Sequence, residues 1–83
     1  MDIRSDVLKL VDSILGLKGR ALTFSDDTAL LGAIPELDSM AVATMLTGME
    51  ERFGFIVDDD EVDGSVFENV ASLVGFVSRK LDA

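Results

Sequence analysis

The sequence predicts an all-α fold: a small four-helix bundle of three main helices and one short helix, with a long loop between helices one and two. Three observations predict it. Apolar residues recur at spacings of three and four in three separate stretches. No run of strand length alternates apolar with polar residues. Gly16 and Gly54 follow the first two stretches, where a left-handed residue would end a helix. With 83 residues, 48% of them apolar, the chain is expected to fold as a single domain, 1–83, around one compact core.

The first helix carries Ile3, Val7, Leu8, Val11, Ile14 and Leu15 on one face, with Arg4, Asp6, Lys9 and Asp12 between them. Gly16 and Gly19 bracket its end. Residues 18–38 form a long connection that holds Thr23, Ser25, Asp26, Asp27, Thr28, Gly32 and the one proline, Pro35. A loop of this length in so small a domain is often functional. Leu22, Phe24, Leu30, Leu31 and Ile34 are expected to pin it onto the core.

The second helix starts near Ser39. Pro35 disfavours helical geometry at Ile34 and separates the loop from the helix. Asp38 or Ser39 can cap the helix, and neither has Glu or Gln three residues on. At 100° per residue, Val42, Met45, Leu46, Met49 and Phe53 share one sector, the expected core face. Met40 lies nearly opposite, beside Thr44, Thr47 and Glu51. Gly54 ends this helix. Phe55, Ile56 and Val57 then form a short apolar anchor ahead of Asp58, Asp59, Asp60, Glu61 and Asp63. Ser65-Val66-Phe67-Glu68 has the capping-box pattern of a short helical turn. The last helix runs from about Asn69 to Leu81, with Val70, Leu73, Val74, Val77 and Leu81 inward. Arg79 and Lys80 suit its C-terminal dipole.

Charge is unevenly spread over a total of −9: residues 1–25 carry a net +1, residues 26–68 a net −11, and residues 69–83 a net +1. Such a field repels nucleic acid and anionic lipid and steers the chain towards basic protein patches. No stretch is long and apolar enough to span a bilayer, and no basic-then-apolar leader opens the sequence. A soluble, cytoplasmic monomer without membrane insertion is expected.

Catalysis is disfavoured. The chain has no histidine, cysteine, tyrosine or tryptophan, so Ser39 has no histidine base. A serine–lysine pair would need Lys9, Lys18 or Lys80 to reach it. The acids lie in polar, solvated sequence, where carboxylate pKa values are little tuned. A calcium loop is also disfavoured. Asp59, Glu61, Asp63 and Gly64 echo the start of an EF-hand, but the twelfth position is Val70, where a bidentate Glu is needed. No metal site is assigned.

Ser39 remains the residue of interest. As a cap it would contribute about 1 kcal/mol. As an attachment point it would place a phosphodiester against the free N–H groups and positive dipole end of a helix. Composition and spacing alone leave both readings open.

Asp38-Ser39-Met40 resembles the Asp-Ser-Leu motif of the acyl carrier protein family. Glu50-Glu51-Arg52-Phe53-Gly54 is similar to that family's acidic ending of helix two. The resemblance covers nearly the whole chain. It implies 4′-phosphopantetheine, transferred from coenzyme A to Ser39 by a phosphopantetheinyl transferase, with acyl groups held as thioesters on the arm. It implies docking of loading ligases or acyltransferases and downstream acyl-utilising enzymes, through Asp38, Met40, Thr44, Thr47, Glu50, Glu51 and Asp59. It implies that an acyl chain slips between the helices near Met45, Leu46, Met49, Phe53 and Val74.

One departure stands out. Family members that serve fatty-acid synthesis carry acids soon after the serine, where this chain has Ala41, Ala43 and Thr44. A specialised acyl or lipid pathway is therefore expected. Ile34-Pro35-Glu36-Leu37-Asp38-Ser39-Met40-Ala41 resembles a bacterial subgroup associated with exopolysaccharide and exosortase systems. Alternatives are a peptidyl or aminoacyl carrier of the D-alanyl type, or an unmodified acidic interaction module.

Overall fold

Three amphipathic stretches fold into three α-helices: α1 (Ile3–Leu15), α2 (Ser39–Phe53) and α3 (Val70–Asp82). The structure, a computed structural model, describes residues 2–82; of Asp59 it describes the backbone alone. Short 3-10 turns at Arg20–Thr23, Asp59–Glu61 and Gly64–Phe67 complete the bundle. The last of these is the expected short helix. Among the described residues no strand forms, and one isolated antiparallel bridge joins Ala29 to Asn69.

Local chemistry sets the helix ends. Asp2 caps α1 by accepting the Ser5 N–H, and Gly16 closes it in the left-handed region at φ 64°. Asp38 caps α2, and Gly54 ends it at φ 77°. The cap of α3 is reciprocal: Asn69 Oδ1 accepts the Ser72 N–H at 2.8 Å, and Ser72 Oγ accepts the Asn69 N–H at 3.1 Å. The turn Gly64–Phe67 departs from the expected Ser65–Glu68 capping box. Asp63 is its cap, accepting the Ser65 N–H, because an aspartate one residue before the turn reaches that donor without rearrangement.

The core gathers Val7, Leu8, Val11 and Leu15 of α1, Met45 and Met49 of α2, and Val70, Leu73, Phe76 and Val77 of α3. Leu17, Ala21, Leu30, Leu37, Val66 and Phe67 reach it from the connections. Fully burying each large side chain stabilises by about 1.5–3 kcal/mol, against the entropy of ordering it.

The long loop is pinned more by backbone than by side chains. Leu30 and Leu31 N–H donate to the Glu68 and Phe67 carbonyls, and Val70 and Ala71 N–H donate to the Thr28 and Asp26 carbonyls. Arg4 reaches across from α1 to the Asp26 carboxylate at 2.9 Å and the Phe24 carbonyl at 2.7 Å. Leu30 is buried, and Phe24 and Ile34 are half-buried against the core. Leu22 and Leu31 are exposed, contrary to the expectation that they anchor the loop. The backbone bonds already hold their segments, so no burial is required of them. Ile56 likewise leaves the expected apolar anchor and faces solvent, while Phe55 and Val57 on either side pack inward. An extended segment turns alternate residues to opposite faces.

Candidate functional site

The site is the start of α2. Asp38 adopts an extended backbone, and its Oδ1 accepts the Ala41 N–H at 2.9 Å. Capping therefore falls to Asp38. Ser39 is the first helical residue, exposed, and its hydroxyl is not the capping group. No acid lies in the first turn of α2. An anion attached to Ser39 would meet the positive end of the helix without carboxylates of that turn beside it.

Behind Ser39 the loop is held in place. The Leu37 side chain is buried, and its N–H donates to the Ile34 carbonyl at 3.0 Å. Arg20 pairs with Glu36 at 2.9 Å. A backbone hydrogen bond and that guanidinium keep the Glu36 carboxyl below its ordinary range. The serine thus projects from a fixed loop onto a capped helix.

The expected contact residues form two groups. Met40 is 80% exposed, and Thr44, Thr47 and Glu51 are exposed on the same side of α2. Thr44 and Thr47 hydroxyls donate back to the Met40 and Ala43 carbonyls. Their methyl groups and the Met40 thioether make this face largely apolar in its first turns. Glu50 differs: it is half-buried, and its Oε2 accepts the Val57 N–H at 2.8 Å. Its carboxylate ties the chain after α2 back onto the helix. The Asp59 side chain lies outside the described residues.

Ser39 opens onto a groove of about 340 Å³ between α2 and the segment 58–68, walled by Leu31, Val42, Val62, Gly64 and Phe67 with Asp63 at the rim. A second groove of about 370 Å³ continues along α2, bordered by Leu46, Glu50, Val57, Asp58 and Val62. A wider depression, about 820 Å³, lies over the α1–α2 contact around Leu10, Ile14 and Gly48, and Ser39 is not among its walls.

The grooves overlap only in part with the residues expected to receive a cargo. Of the five interior residues expected to receive it, Leu46 borders the second groove. Met45 and Met49 are sealed in the core at 1% and 0% exposure. Phe53 stacks on Phe55 with ring centroids 6.0 Å apart, and Val74 is half-buried against the core. Leu31, Val62 and Phe67, which flank Ser39, come from the loop and the 58–68 segment. Their side of the slot depends on tertiary placement that helical periodicity does not report.

The walls carry their own electrostatics. Lys80 of α3 contacts both Glu61 oxygens, at 2.9 and 3.0 Å, and stands 6.0 Å from the Phe55 ring centroid. The hydrogen bond from Lys80, then one from the Asp58 N–H, holds the Glu61 carboxyl below its ordinary range. Hydrogen bonds from the Ser65 hydroxyl and N–H do the same for Asp63. Among the described residues no charged or polar side chain is buried, and no three carboxylates gather where a metal ion could sit.

The whole chain is similar to a solved structure. It is 43% identical to a holo acyl carrier protein of Nitrosomonas europaea, determined by solution NMR, with 100% of both chains covered and a TM-score of 0.91. The chain belongs to the acyl carrier protein family. No protein-family model and no curated protein matches it. For an acyl carrier protein the arrangement is coherent: an exposed serine on a capped helix, an open groove beside it, and an outward helical face next to both. No helix among the described residues is long and apolar enough to cross a membrane.

Proposed function

We propose that the chain carries acyl groups as thioesters on a 4′-phosphopantetheine arm joined to Ser39. The observation that carries this reading is the position of Ser39: exposed, first in α2, and relieved of capping by Asp38. The relative in Nitrosomonas europaea is a holo carrier, which supports the same attachment here. The residues fit the group. The neutral first turn and its N–H donors suit a phosphodiester, and the bound arm would supply the thiol that this cysteine-free chain lacks. Ser39 itself provides the nucleophilic oxygen, and the transferase acting on it provides the catalysis.

Partners dock on the outward face of α2 through Met40, Thr44, Thr47 and Glu51, next to Asp38. Phosphopantetheinyl transferase, an acyl-loading enzyme and acyl-utilising enzymes with basic patches are the partners this face and the net charge of −9 suit. Ala41, Ala43 and Thr44 come after the serine where a strongly acidic docking turn would carry carboxylates. This supports a specialised acyl or lipid pathway in a bacterial cytoplasm.

The test is direct. Incubation with coenzyme A, magnesium and a promiscuous phosphopantetheinyl transferase is expected to add one phosphopantetheine, read by intact mass, and Ser39→Ala is expected to abolish the addition. No addition, or addition that survives Ser39→Ala, overturns the reading.

A further inference from the structure

The thioethers of this chain sit in two opposite environments. Met40 is 80% exposed, whereas Met45 and Met49 are sealed in the core at 1% and 0%. Met1 lies outside the described residues. The chain has no cysteine, histidine, tyrosine or tryptophan, so its methionines are the side chains open to a mild two-electron oxidant. Exposure directs that oxidant to Met40. Met45 and Met49 are reached only when the bundle opens, and an oxygen added there would be a polar atom buried without water.

The position of Met40 matters as much as its exposure. It follows Ser39 directly, and a long helical side chain leans back towards the N-terminus of its helix, here towards Asp38 and Ser39. The first turn of α2 carries no acid, and Ala41, Ala43 and Thr44 come next. The Met40 thioether is therefore the large apolar group of this turn, with no charge beside it to take over its role in docking.

We propose that Met40 is an oxidation site that controls access to Ser39: a peroxide converts the thioether to the sulfoxide, and the sulfoxide slows transfer of the phosphopantetheine arm until a thiol-driven reductase restores it. This inference rests on the attachment reading above and adds a regulation to that site.

The chemistry balances. A sulfur lone pair attacks one peroxide oxygen, and the S–O bond forms as the O–O bond breaks. The proton of the transferred oxygen passes to the departing one, which leaves as water. Sulfur is oxidised by two electrons and the peroxide is reduced by two. In the return step two thiols give a disulfide, water and the thioether. Oxidation turns a flexible apolar side chain into a polar one. Its new acceptor oxygen also stands at the positive helix end that would receive the phosphodiester.

The experiment treats the unmodified protein with hydrogen peroxide and removes the excess with catalase. Transfer of the arm from coenzyme A by a promiscuous transferase is then timed by intact mass, and peptide mapping locates the added oxygen. In the folded protein oxygen is expected at Met40 and not at Met45 or Met49, which take it only in denaturant. The oxidised parent is expected to accept the arm about tenfold more slowly than the untreated parent, equivalent to about 1.4 kcal/mol of lost contact. Methionine sulfoxide reductases for both epimers restore the rate, and the melting temperature stays nearly unchanged. In Met40→Leu, treated and untreated protein are expected to react at equal rates. Oxygen gained at Met1 is common to both proteins and is controlled by that comparison. Met40→Gln, polar without any oxidation, is expected to react slowly in the absence of peroxide.

Six results each overturn the switch: no oxygen at Met40 in the folded protein, oxidation of Met45 or Met49 as fast as of Met40, equal transfer before and after oxidation, the same slowing in Met40→Leu, a parent-like rate in Met40→Gln, or a steep fall in melting temperature on oxidation. Failure of the untreated parent to take the arm overturns the attachment reading, and the switch with it. Loading at a rate that oxidation of Met40 does not alter overturns the switch alone.

Discussion

Helix α2 meets its two neighbours differently. Against α1 the contact is close: a Cβ built on Gly48 would stand 2.8 Å from Ile14 Cδ1 and 3.3 Å from Leu10 Cδ1. An ion pair from Arg52 to Asp6, at 3.2 Å, crosses the same seam. Beside residues 58–68 α2 leaves two grooves; Glu50 of α2 accepts the Val57 N–H just before that segment, and Glu61 within it is held by Lys80 of α3 rather than by α2. One seam is closed by shape, and the other leaves open grooves beside a segment that Lys80 of α3 and the buried Val66 and Phe67 hold in place. Ser39 opens onto the second.

The largest effect is expected where shape decides. Gly48→Leu places a long side chain where even a methyl group displaces Ile14, and overpacking of this kind costs about 1–3 kcal/mol. In a domain of this size each 1 kcal/mol lowers the melting temperature by roughly 4–8 °C. Gly48→Ala is the sharper control. The gain in helix propensity, about 1 kcal/mol, offsets the small shift asked of the flexible Ile14 terminus, and the net change is expected near zero. Thermal denaturation of both checks this. A leucine variant as stable as the parent would dissolve the contrast between the seams.

A smaller and more local effect is expected from acid. Glu61 and Asp63 have carboxyls lowered below 4.5 and 3.8, by hydrogen bonds from Lys80 and from Ser65 respectively. A carboxyl lowered on folding contributes stability that is present above its unfolded value and is lost as the pH falls through its folded value. Lowering the pH from about 5 to about 3 is therefore expected to loosen residues 58–68 ahead of the α1–α2 seam. Amide hydrogen exchange reads this as a loss of protection in 58–68 relative to α1, each corrected for its intrinsic rate. Lys80→Met removes the first cause for Glu61 and shifts that loss to higher pH. Parallel loss in both regions would show that the grooved seam has no separate acid response.

The two seams were not equally legible in the sequence. α1, α2 and the turn to α3 arise from local chemistry, since apolar spacing, Asp2, Asp38, Gly16 and Gly54 act within a few residues of one another. The buried Phe76 lies three residues after Leu73, and its periodicity was available to be read. The grooved seam was not legible, because its walls are brought together only by folding. Leu31 reaches the groove because its N–H bonds to the Phe67 carbonyl, and Val62 faces α2 across two turns that share no period with it. Asp12 is a similar case. It looks like a surface residue of α1, yet its carboxylate accepts the Gly19 and Ala21 N–H groups and shapes the start of the long loop. Ser39 was legible as a residue of interest. Its release from capping became clear only once Asp38 was seen to hold the Ala41 N–H.

The smallest effect on stability is expected at Met40, and it bears on function most directly. At 80% exposure its side chain has little to lose on substitution, and surface changes of this kind usually stay within about 0.5 kcal/mol. Met40 belongs to neither seam, but it adjoins Ser39 on a turn with no acid. If a modifying enzyme acts on Ser39 as proposed, an apolar contact with Met40 would take the place of the charge contact that the turn lacks. Met40→Glu is therefore expected to leave the melting temperature nearly unchanged while slowing transfer of the phosphopantetheine arm. Met40→Leu, which keeps the apolar surface, is expected to react like the parent. A melting temperature that falls steeply for Met40→Glu would place the side chain in the packing of α2. Unchanged transfer would remove it from the docking face and leave the acidic residues further along the helix to do that work.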